Sequence, residues 1–88
     1  MIEKELKIVN KNGMHTRPAA QFVKIASKFL STVTLARDGF VINGKSIIGV
    51  MTLAAEFGCV LVLNVDGEDE DQATLELTSL IENGFSEI

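Results

Sequence analysis

The residues TVTLARDGFVIN, at positions 32–43, predict a β-hairpin. Asp38-Gly39 is a dipeptide that favours a two-residue type I′ turn, because both of its residues tolerate a positive φ angle. The flanking segments 32–37 and 40–43 are then two antiparallel strands, and the second consists largely of bulky β-forming residues. The sheet is therefore expected to be antiparallel, with the rest of the chain built around this hairpin.

Two further segments predict strands. Charged and apolar residues alternate over 3–9, with Leu6 and Ile8 on one face, which is typical of a half-buried strand. Residues 59–65, CVLVLNV, are apolar on both faces and predict an interior strand. Cys59, the single cysteine, is expected to be a core thiol, because a lone cysteine cannot form an internal disulfide.

Helical spacing predicts three helices. The first begins at Thr16, with Pro18 in its first turn, where the missing N–H costs no hydrogen bond. The residues predicted on its buried face are Ala19, Phe22, Val23, Ala26, Phe29 and Leu30. A short second helix is expected to be capped by Ser46 and ended by Gly58.

The third helix follows Asp66-Gly67. The acidic run EDED, residues 68–71, favours a helix N-terminus through the helix dipole. The apolar stripe consists of Ala73, Leu77, Leu80 and Ile81, and Gly84 is expected to end the helix. The element order is then β-α-β-β-α-β-α, which predicts an α+β fold with a four-stranded antiparallel sheet covered on one face by three helices, in a single domain over residues 1–88.

Composition excludes several functions. A formal net charge of −4 with scattered basic residues argues against a nucleic-acid partner. The start of the chain lacks the features of a signal peptide, and no apolar run approaches the roughly 20 residues of a membrane span. One histidine and one cysteine cannot supply a zinc ligand set, so neither a metal nor a cofactor is expected.

Residues 39–46, GFVINGKS, satisfy the pattern of a phosphate-binding P-loop. The context contradicts that interpretation, because residues 40–42 are predicted to be a strand, whereas a P-loop wraps its backbone around a phosphate. We therefore reject nucleotide hydrolysis.

The only histidine and the only proline of the chain lie together in GMHTRPAA, residues 13–20. His15 is predicted at the N-terminal edge of the first helix, where free backbone N–H groups and the helix dipole favour an anion. Arg17 adds a positive charge able to grip two oxygens. A neutral imidazole is a nucleophile near pH 7, so we infer that His15 itself carries a phosphoryl group and passes it on.

The chain resembles the histidine-containing phosphocarrier protein HPr of the bacterial phosphoenolpyruvate-dependent sugar phosphotransferase system. The resemblance covers essentially the whole chain and rests on GMHTRPA at 13–19, GKSIIGVMTL at 44–53 and DGEDEDQA at 66–73. It implies an open-faced β-sandwich, in agreement with the predicted element order. It also implies a stoichiometric carrier rather than an enzyme that turns over alone.

The resemblance implies roles for individual residues. His15 would accept the phosphoryl group on Nδ1 from phosphorylated enzyme I and pass it to enzyme IIA domains, while Arg17 steadies the group. An exposed apolar surface beside His15, which we call the docking patch, would bind these partners. Its predicted members are Ala20, Ile47, Ile48 and Met51, with Thr16, Lys24 and Lys45 at the rim.

Ser46 has two predicted roles that do not compete. It caps the second helix, and the resemblance implies that an ATP-dependent HPr kinase/phosphorylase modifies it. Phosphoserine would add about −1.5 to −2 charge within the docking patch and repel acidic partners. The alternative function is a regulatory module in which modified Ser46 controls binding to a transcriptional regulator or kinase.

Two residues depart from the family pattern. Thr16 stands where alanine is common and Ile48 where Met or Phe is frequent, so both affect the expected choice of partner. A catabolite-regulating paralogue lacks the histidine and is excluded by His15, whereas a nitrogen-branch carrier keeps it and stays a second alternative. We expect a cytoplasmic monomer that binds neither nucleic acid nor membrane.

Overall fold

The structure, a computed structural model, describes residues 1–87 and has the predicted order of elements. Within those residues the strands are β1 (Ile2–Lys7), β2 (Thr32–Arg37), β3 (Phe40–Asn43) and β4 (Val60–Asp66). The α-helices are α1 (Thr16–Ala26), α2 (Ile47–Thr52) and α3 (Glu70–Glu82), and a 3₁₀ turn, Gly84–Ser86, follows. The predicted limits of β2 and β3 and the predicted start of α1 are confirmed.

The four strands form one antiparallel sheet in the order β1-β4-β2-β3. β4 therefore lies in the interior of the sheet, as its apolar sequence predicts. Burial alternates along β4, where Leu61, Leu63 and Val65 face the helices while Val60 is exposed. The sheet thus has one covered face and one open face, which confirms the α+β open-faced sandwich.

The hairpin has the predicted turn. Asp38 and Gly39 have φ angles of 50° and 84°, and Arg37 pairs with Phe40 across them. Positive φ at both central residues defines the type I′ turn, whose twist matches that of the two strands.

The hydrophobic core lies between the covered face of the sheet and the helices. The largest fully buried side chains come from the helices, the sheet, the 3₁₀ turn and the residue after β1: Phe22, Leu77, Ile81, Leu35, Leu61, Leu63, Phe85 and Ile8. The predicted stripe of α3 is largely confirmed, since Ala73 is also buried while Leu80 is half-buried. No helix within residues 1–87 combines the length and the apolar character that crossing a membrane requires.

The predicted apolar face of α1 was too long. The helix ends at Ala26, and the next bonds, from Lys28 N–H to Ile25 O and from Phe29 N–H to Ala26 O, span three residues instead of four. This tightening changes the direction of the following side chains, so Phe29 is only half-buried and Leu30 is 79% exposed. The helical spacing of Leu30 is coincidental.

The predicted end of α2 at Gly58 was wrong. The helix ends at Thr52, and Ala54, with a φ angle of 49°, turns the chain away. The Arg37 guanidinium donates to the carbonyl oxygens of Leu53, at 3.1 Å, and Ala54, so it satisfies groups that the end of the helix leaves free. A side chain from a distant strand thus caps the segment at which this helix ends.

Two smaller predictions concern the ends of β4 and α3. Cys59 precedes β4 and packs against the core, but the predicted core thiol is only half-buried. Gly84, with a φ angle of 62°, directly follows Asn83, the C-cap of α3, and so confirms the predicted end of that helix.

Candidate functional site

A loop fastened at both ends positions His15. Buried Asn10 donates from Nδ2 to the carbonyl oxygen of Gly13 at 2.8 Å, and the Gly13 N–H donates back to Asn10 O at 3.1 Å. The N–H of Met14, whose side chain is buried, donates to Ala55 O at 2.8 Å. The loop before α1 is therefore attached to the segment after α2.

Gly13 is the position where this loop requires glycine. Its φ angle is 67°, and a Cβ atom there would lie 2.5 Å from the carbonyl oxygen of Ala55. Both the left-handed conformation and the close approach exclude a side chain. The loop can therefore pass close to the segment after α2 and deliver His15 to the start of the helix.

His15 is the N-cap residue of α1. Its backbone is extended, with φ −82° and ψ −168°, and its side chain makes no capping hydrogen bond. The first bond of the helix runs from Ala19 N–H to His15 O at 3.0 Å. Among residues 1–87, no acceptor lies against the backbone N–H groups of Thr16 and Arg17, so the helix begins with two free donors.

The His15 side chain, 41% exposed, lies beside Glu87, with Nε2 2.9 Å from Oε2. Asn10 Nδ2 donates to the other carboxylate oxygen, Oε1, at 3.0 Å. Hydrogen bonding from Asn10, followed by the bond to His15 and the charges of His15 and Arg17, lowers the pKa of Glu87. The carboxylate is thus held ionised against the imidazole.

Glu87 is the site residue that sequence reasoning missed. Because 72 positions separate it from His15, no local pattern connects the two. The 3₁₀ turn brings it there, since Phe85 and Ser86 have φ angles of 56° and 62° and Phe85 is fully buried. The available signal in the sequence was the aromatic residue Phe85, followed two positions later by the acid Glu87.

The predicted docking patch lies on neighbouring surfaces of α1 and α2, which pack together. Ile48 is 78% exposed, and Ala20, Ile47 and Met51 are also exposed. Of the predicted rim, Thr16 and Lys24 are exposed. Lys45 is half-buried and donates from Nζ to the carbonyl oxygen of Phe29 at 2.7 Å, so its ammonium is already paired within the chain.

Ser46 is the N-cap of α2, as predicted. Its Oγ accepts a hydrogen bond from the Gly49 N–H at 3.1 Å, and its carbonyl oxygen accepts from the Val50 N–H at 2.9 Å. The residue is half-buried and immediately precedes Ile47 and Ile48 of the docking patch.

A groove of about 400 Å³ lies on the other side of His15. It runs between the loop before α1 and the segment after α2, and its lining residues are Lys11, Asn12, Met14, His15, Ala54, Ala55, Glu56 and Phe57. Phe57 is 61% exposed and was not predicted to lie near the histidine. An exposed aromatic side chain and several polar residues therefore flank His15 on this side.

The P-loop pattern has no phosphate-binding geometry. Residues 39–46 divide among the hairpin turn, strand β3 and the cap of α2, and Phe40–Asn43 pairs with β2 throughout its length. The rejection of this motif is confirmed, because backbone N–H groups in a paired strand cannot surround a phosphate.

Comparisons with known proteins find close relatives of this chain in sequence and in structure. Residues 2–83 match the family model described as the PTS HPr component phosphorylation site. Phosphocarrier protein HPr of Xylella fastidiosa strain Temecula1 is 48% identical over 87 residues, which cover 99% of this chain and 98% of that protein. The crystal structure of HPr from Thermoanaerobacter tengcongensis has a TM-score of 0.96 at 44% identity and covers 100% of this chain and 99% of that one.

A third relative is a protein of catabolite repression. The crystal structure of Crh, the catabolite repression protein of Bacillus subtilis, has a TM-score of 0.77 at 38% identity and covers 96% of this chain and 97% of that one. It is described as a dimer with a swapped domain. The same fold thus occurs both in phosphocarrier proteins and in a protein of catabolite repression.

Proposed function

This chain belongs to the HPr family of phosphocarrier proteins of the phosphotransferase system, and from that premise we propose that residues 1–88 act as one HPr-like carrier domain in the cytoplasm. In this proposal His15 accepts a phosphoryl group on Nδ1 from phosphorylated enzyme I and passes it to enzyme IIA domains for sugar uptake. The carrier is stoichiometric: partner enzymes load and unload it, and it needs neither cofactor nor metal.

The open start of α1 is the observation that carries the proposal. The N–H groups of Thr16 and Arg17, which have no acceptor in the part of the chain that the structure describes, lie at the helix start next to an exposed imidazole. Backbone donors at a helix N-terminus favour a negatively charged group. A phosphoryl group attached to His15 would therefore find donors that require no rearrangement of the chain.

Arg17 has the second role in this proposal. It is exposed, and among residues 1–87 it forms no ion pair within 4.0 Å. Its charge is close enough to contribute to the lowered pKa of Glu87. We infer that the guanidinium turns toward the phosphoryl group once that group is in place, because its planar donors suit phosphate oxygens.

The docking patch gives the partners a common surface. Ile48 and Met51 are exposed on α2, which packs against the helix that His15 begins. Isolated exposed apolar residues are normal, whereas clusters of them mark interaction surfaces. The flexible Met side chain suits a surface that must fit both enzyme I and enzyme IIA in turn. Thr16, Ala20, Lys24, Lys45 and Ile47 complete this proposed interface.

The direct test is labelling with radioactive phosphoenolpyruvate and catalytic enzyme I. The wild-type chain should acquire an acid-labile, base-stable label and lose it when an enzyme IIA domain is added. The variant His15→Ala should take up none while keeping the dispersed amide spectrum of a folded protein. A label that survives the substitution would place the phosphoryl group on another residue.

A second proposed role is regulation through Ser46. Its half-buried hydroxyl lies at the edge of the docking patch and, among residues 1–87, hydrogen-bonds only with Gly49. A kinase could therefore reach it by opening one hydrogen bond. A phosphate there would add about −1.5 to −2 charge beside the apolar partner surface. HPr kinase/phosphorylase is the proposed modifying enzyme, and a transcriptional regulator is the proposed partner of the modified form.

A matched pair of variants separates the charge of modified Ser46 from its capping function. Asp and Asn both cap helices as well as Ser does, and they are nearly identical in size. Ser46→Asp should accept phosphate from enzyme I several-fold more slowly than Ser46→Asn, because only the former places a negative charge at the patch. Equal rates would mean that charge at Ser46 does not control this transfer.

The nitrogen-branch alternative and the expected monomer are tested separately. Rates of labelling by the sugar-branch and nitrogen-branch forms of enzyme I, compared at equal concentration, should favour the sugar branch. Sedimentation should give the mass of one 9.5 kDa chain, unlike the swapped dimer described for Crh.

A further inference from the structure

We propose that Glu87 is a positioning residue for phosphoryl transfer: its carboxylate holds the proton of the His15 imidazole on Nε2 and so leaves Nδ1 as the nucleophilic atom. The inference rests on the proposed function, in which His15 carries the phosphoryl group. It assigns to the turn after α3 a part in the chemistry at the start of α1.

The geometry defines which nitrogen carries the proton. Nε2 of His15 lies 2.9 Å from Glu87 Oε2, which is hydrogen-bond distance. The pKa of Glu87 is lowered, so the carboxylate is ionised and can only accept. The ring nitrogen must therefore be the donor, and in the neutral imidazole the lone pair remains on Nδ1.

Asn10 fixes the carboxylate in this position. Its Nδ2 donates both to Gly13 O at 2.8 Å and to Glu87 Oε1 at 3.0 Å. Rotating the amide by half a turn would place its oxygen against a carbonyl and a carboxylate, which are both acceptors, so its orientation is unambiguous. Since Asn10 is fully buried, the network has a rigid base.

The backbone of the 3₁₀ turn also holds Glu87 against His15. Phe85 is fully buried in the core, and Phe85 and Ser86 both adopt left-handed conformations that turn the chain back toward the loop before α1. Non-glycine residues in this region carry strain and persist where the surrounding structure requires them. Glu87 is thus held against His15 by an anchored turn and differs from an ion pair between mobile surface side chains.

The placement of the proton determines whether the phosphoryl group can leave again. On loading, the Nδ1 lone pair forms the bond to phosphorus, and the bond from phosphorus to the donor breaks with its electron pair returning to the donor. The proton stays on Nε2, so the phosphorylated ring is cationic and the Glu87 carboxylate balances it. On unloading, a nucleophilic atom of the enzyme IIA domain forms the new bond to phosphorus. The electron pair of the P–N bond then returns to Nδ1, and the ring leaves as neutral imidazole.

The first measurement is the tautomer of His15 in the complete, unphosphorylated chain, read from the ¹⁵N chemical shifts of the ring at a pH where it is neutral. Wild type should show a protonated Nε2 and an unprotonated Nδ1. Glu87→Gln should move the two shifts toward each other, because an amide can both donate and accept. Glu87→Asp, which keeps the carboxylate, should restore much of the wild-type difference.

The matched control is Glu82→Gln, since Glu82 is exposed and lies at the end of α3. It removes the same charge without touching His15 and should leave the ring shifts unchanged. The inference would be overturned if Glu87→Gln had the same ring shifts as wild type. It would also be overturned if the wild-type shifts showed a protonated Nδ1.

The second measurement is the rate of phosphoryl uptake from enzyme I. Glu87→Gln should lower the maximal rate about tenfold, within the range for groups that orient a reacting residue, while the KM for the carrier stays near the wild-type value. An unchanged rate would overturn the role in transfer. If wild type takes up no label, the proposed function fails, whereas the ¹⁵N shifts still report whether Glu87 sets the tautomer.

Discussion

Helices α1 and α2 both begin at an extended residue, yet their N-cap side chains behave differently. Ser46 turns its Oγ back to accept from the Gly49 N–H at 3.1 Å, so the start of α2 is capped within the chain. His15 makes no such bond and reaches instead toward Glu87. A serine cap contributes about 1 kcal/mol to stability. α1 forgoes that contribution, and within the described residues 1–87 its first N–H donors stay free. The difference shows that stability and anion binding require opposite uses of the same backbone groups.

The largest expected effect comes from His15→Ser, which gives α1 the same N-cap residue as α2. Phosphoryl uptake should be abolished, because serine at this position lacks the imidazole nucleophile. At the same time His15→Ser should unfold with a free energy about 1 kcal/mol higher than that of His15→Ala, the usual value of a new N-cap. Urea unfolding of both variants measures this, and equal stabilities would mean that a side chain cannot close the start of α1.

The loop that holds His15 in place is tested by Gly13→Ala. The substitution combines a left-handed conformation, which costs roughly 1–2 kcal/mol, with a Cβ placed 2.5 Å from the Ala55 carbonyl oxygen. We expect a total loss of about 3 kcal/mol, in the upper range for single substitutions.

Gly39→Ala is the matched control for that variant. Gly39 also has a positive φ angle, 84°, but a Cβ there would have no neighbour within 4 Å. It should therefore cost only the conformational strain, roughly 1–2 kcal/mol. If thermal unfolding showed the two variants to be equally stable, the close approach of Gly13 to Ala55 would not contribute to the loss of stability in Gly13→Ala.

A milder change removes the cap of α2. Ser46→Ala should lower the free energy of unfolding by about 1 kcal/mol, whereas Ser46→Asn should remain close to wild type. Chemical denaturation of the three proteins distinguishes these values. A neutral effect of alanine would show that the bond to Gly49 does not stabilise the chain.

The smallest expected effect concerns Asp69, the N-cap residue of α3. Unlike Ser46, its side chain does not cap its own helix, and unlike His15, it is not part of the candidate site. The Asp69 carboxylate accepts from the Ser31 hydroxyl and from the N–H groups of Leu30 and Ser31, and these bonds, with the hydroxyl first, lower the pKa of Asp69. A lowered pKa contributes stability that is complete above about pH 4, the value of an unfolded aspartate, and is lost as the pH falls through the folded value.

Urea midpoints measured from pH 6 to pH 2 test this dependence. Asp69→Asn should lose less stability on acidification than wild type. Asp71→Asn, an exposed acid on the same first turn, should follow the wild-type curve. Identical slopes for wild type and Asp69→Asn would assign the acid sensitivity to other carboxylates.

Features encoded by adjacent residues could be predicted from the sequence. Asp38-Gly39 determines the hairpin turn, Ser46 with the Gly49 N–H determines the cap of α2, and the break in pattern at Thr16 marks the start of α1. In each case the responsible atoms lie within four residues of one another. The location of His15 at a helix start follows from the same local information.

Features that depend on distant contacts were mispredicted or missed. The carbonyl oxygens after α2 are satisfied by Arg37, which approaches from β2. Leu30 is exposed because the chain tightens as it leaves α1 for β2. Glu87 meets His15 only after α3 and its 3₁₀ turn have packed. Hydrophobic periodicity predicts which face of a helix or strand is buried. It contains no information on which distant side chain contacts that helix or strand.

The central place of β4 has a consequence for the order in which this chain can fold. β1 and β2 are made first but do not pair with each other; each pairs with β4, whose residues Val60–Asp66 come more than two-thirds of the way along the chain. Before that point is reached, the growing chain can complete only the local β2–β3 hairpin, because β1 has no partner. The long separation of these contacts predicts slow, late folding. During synthesis, therefore, the segment that contains His15 is made well before the complete sheet can form.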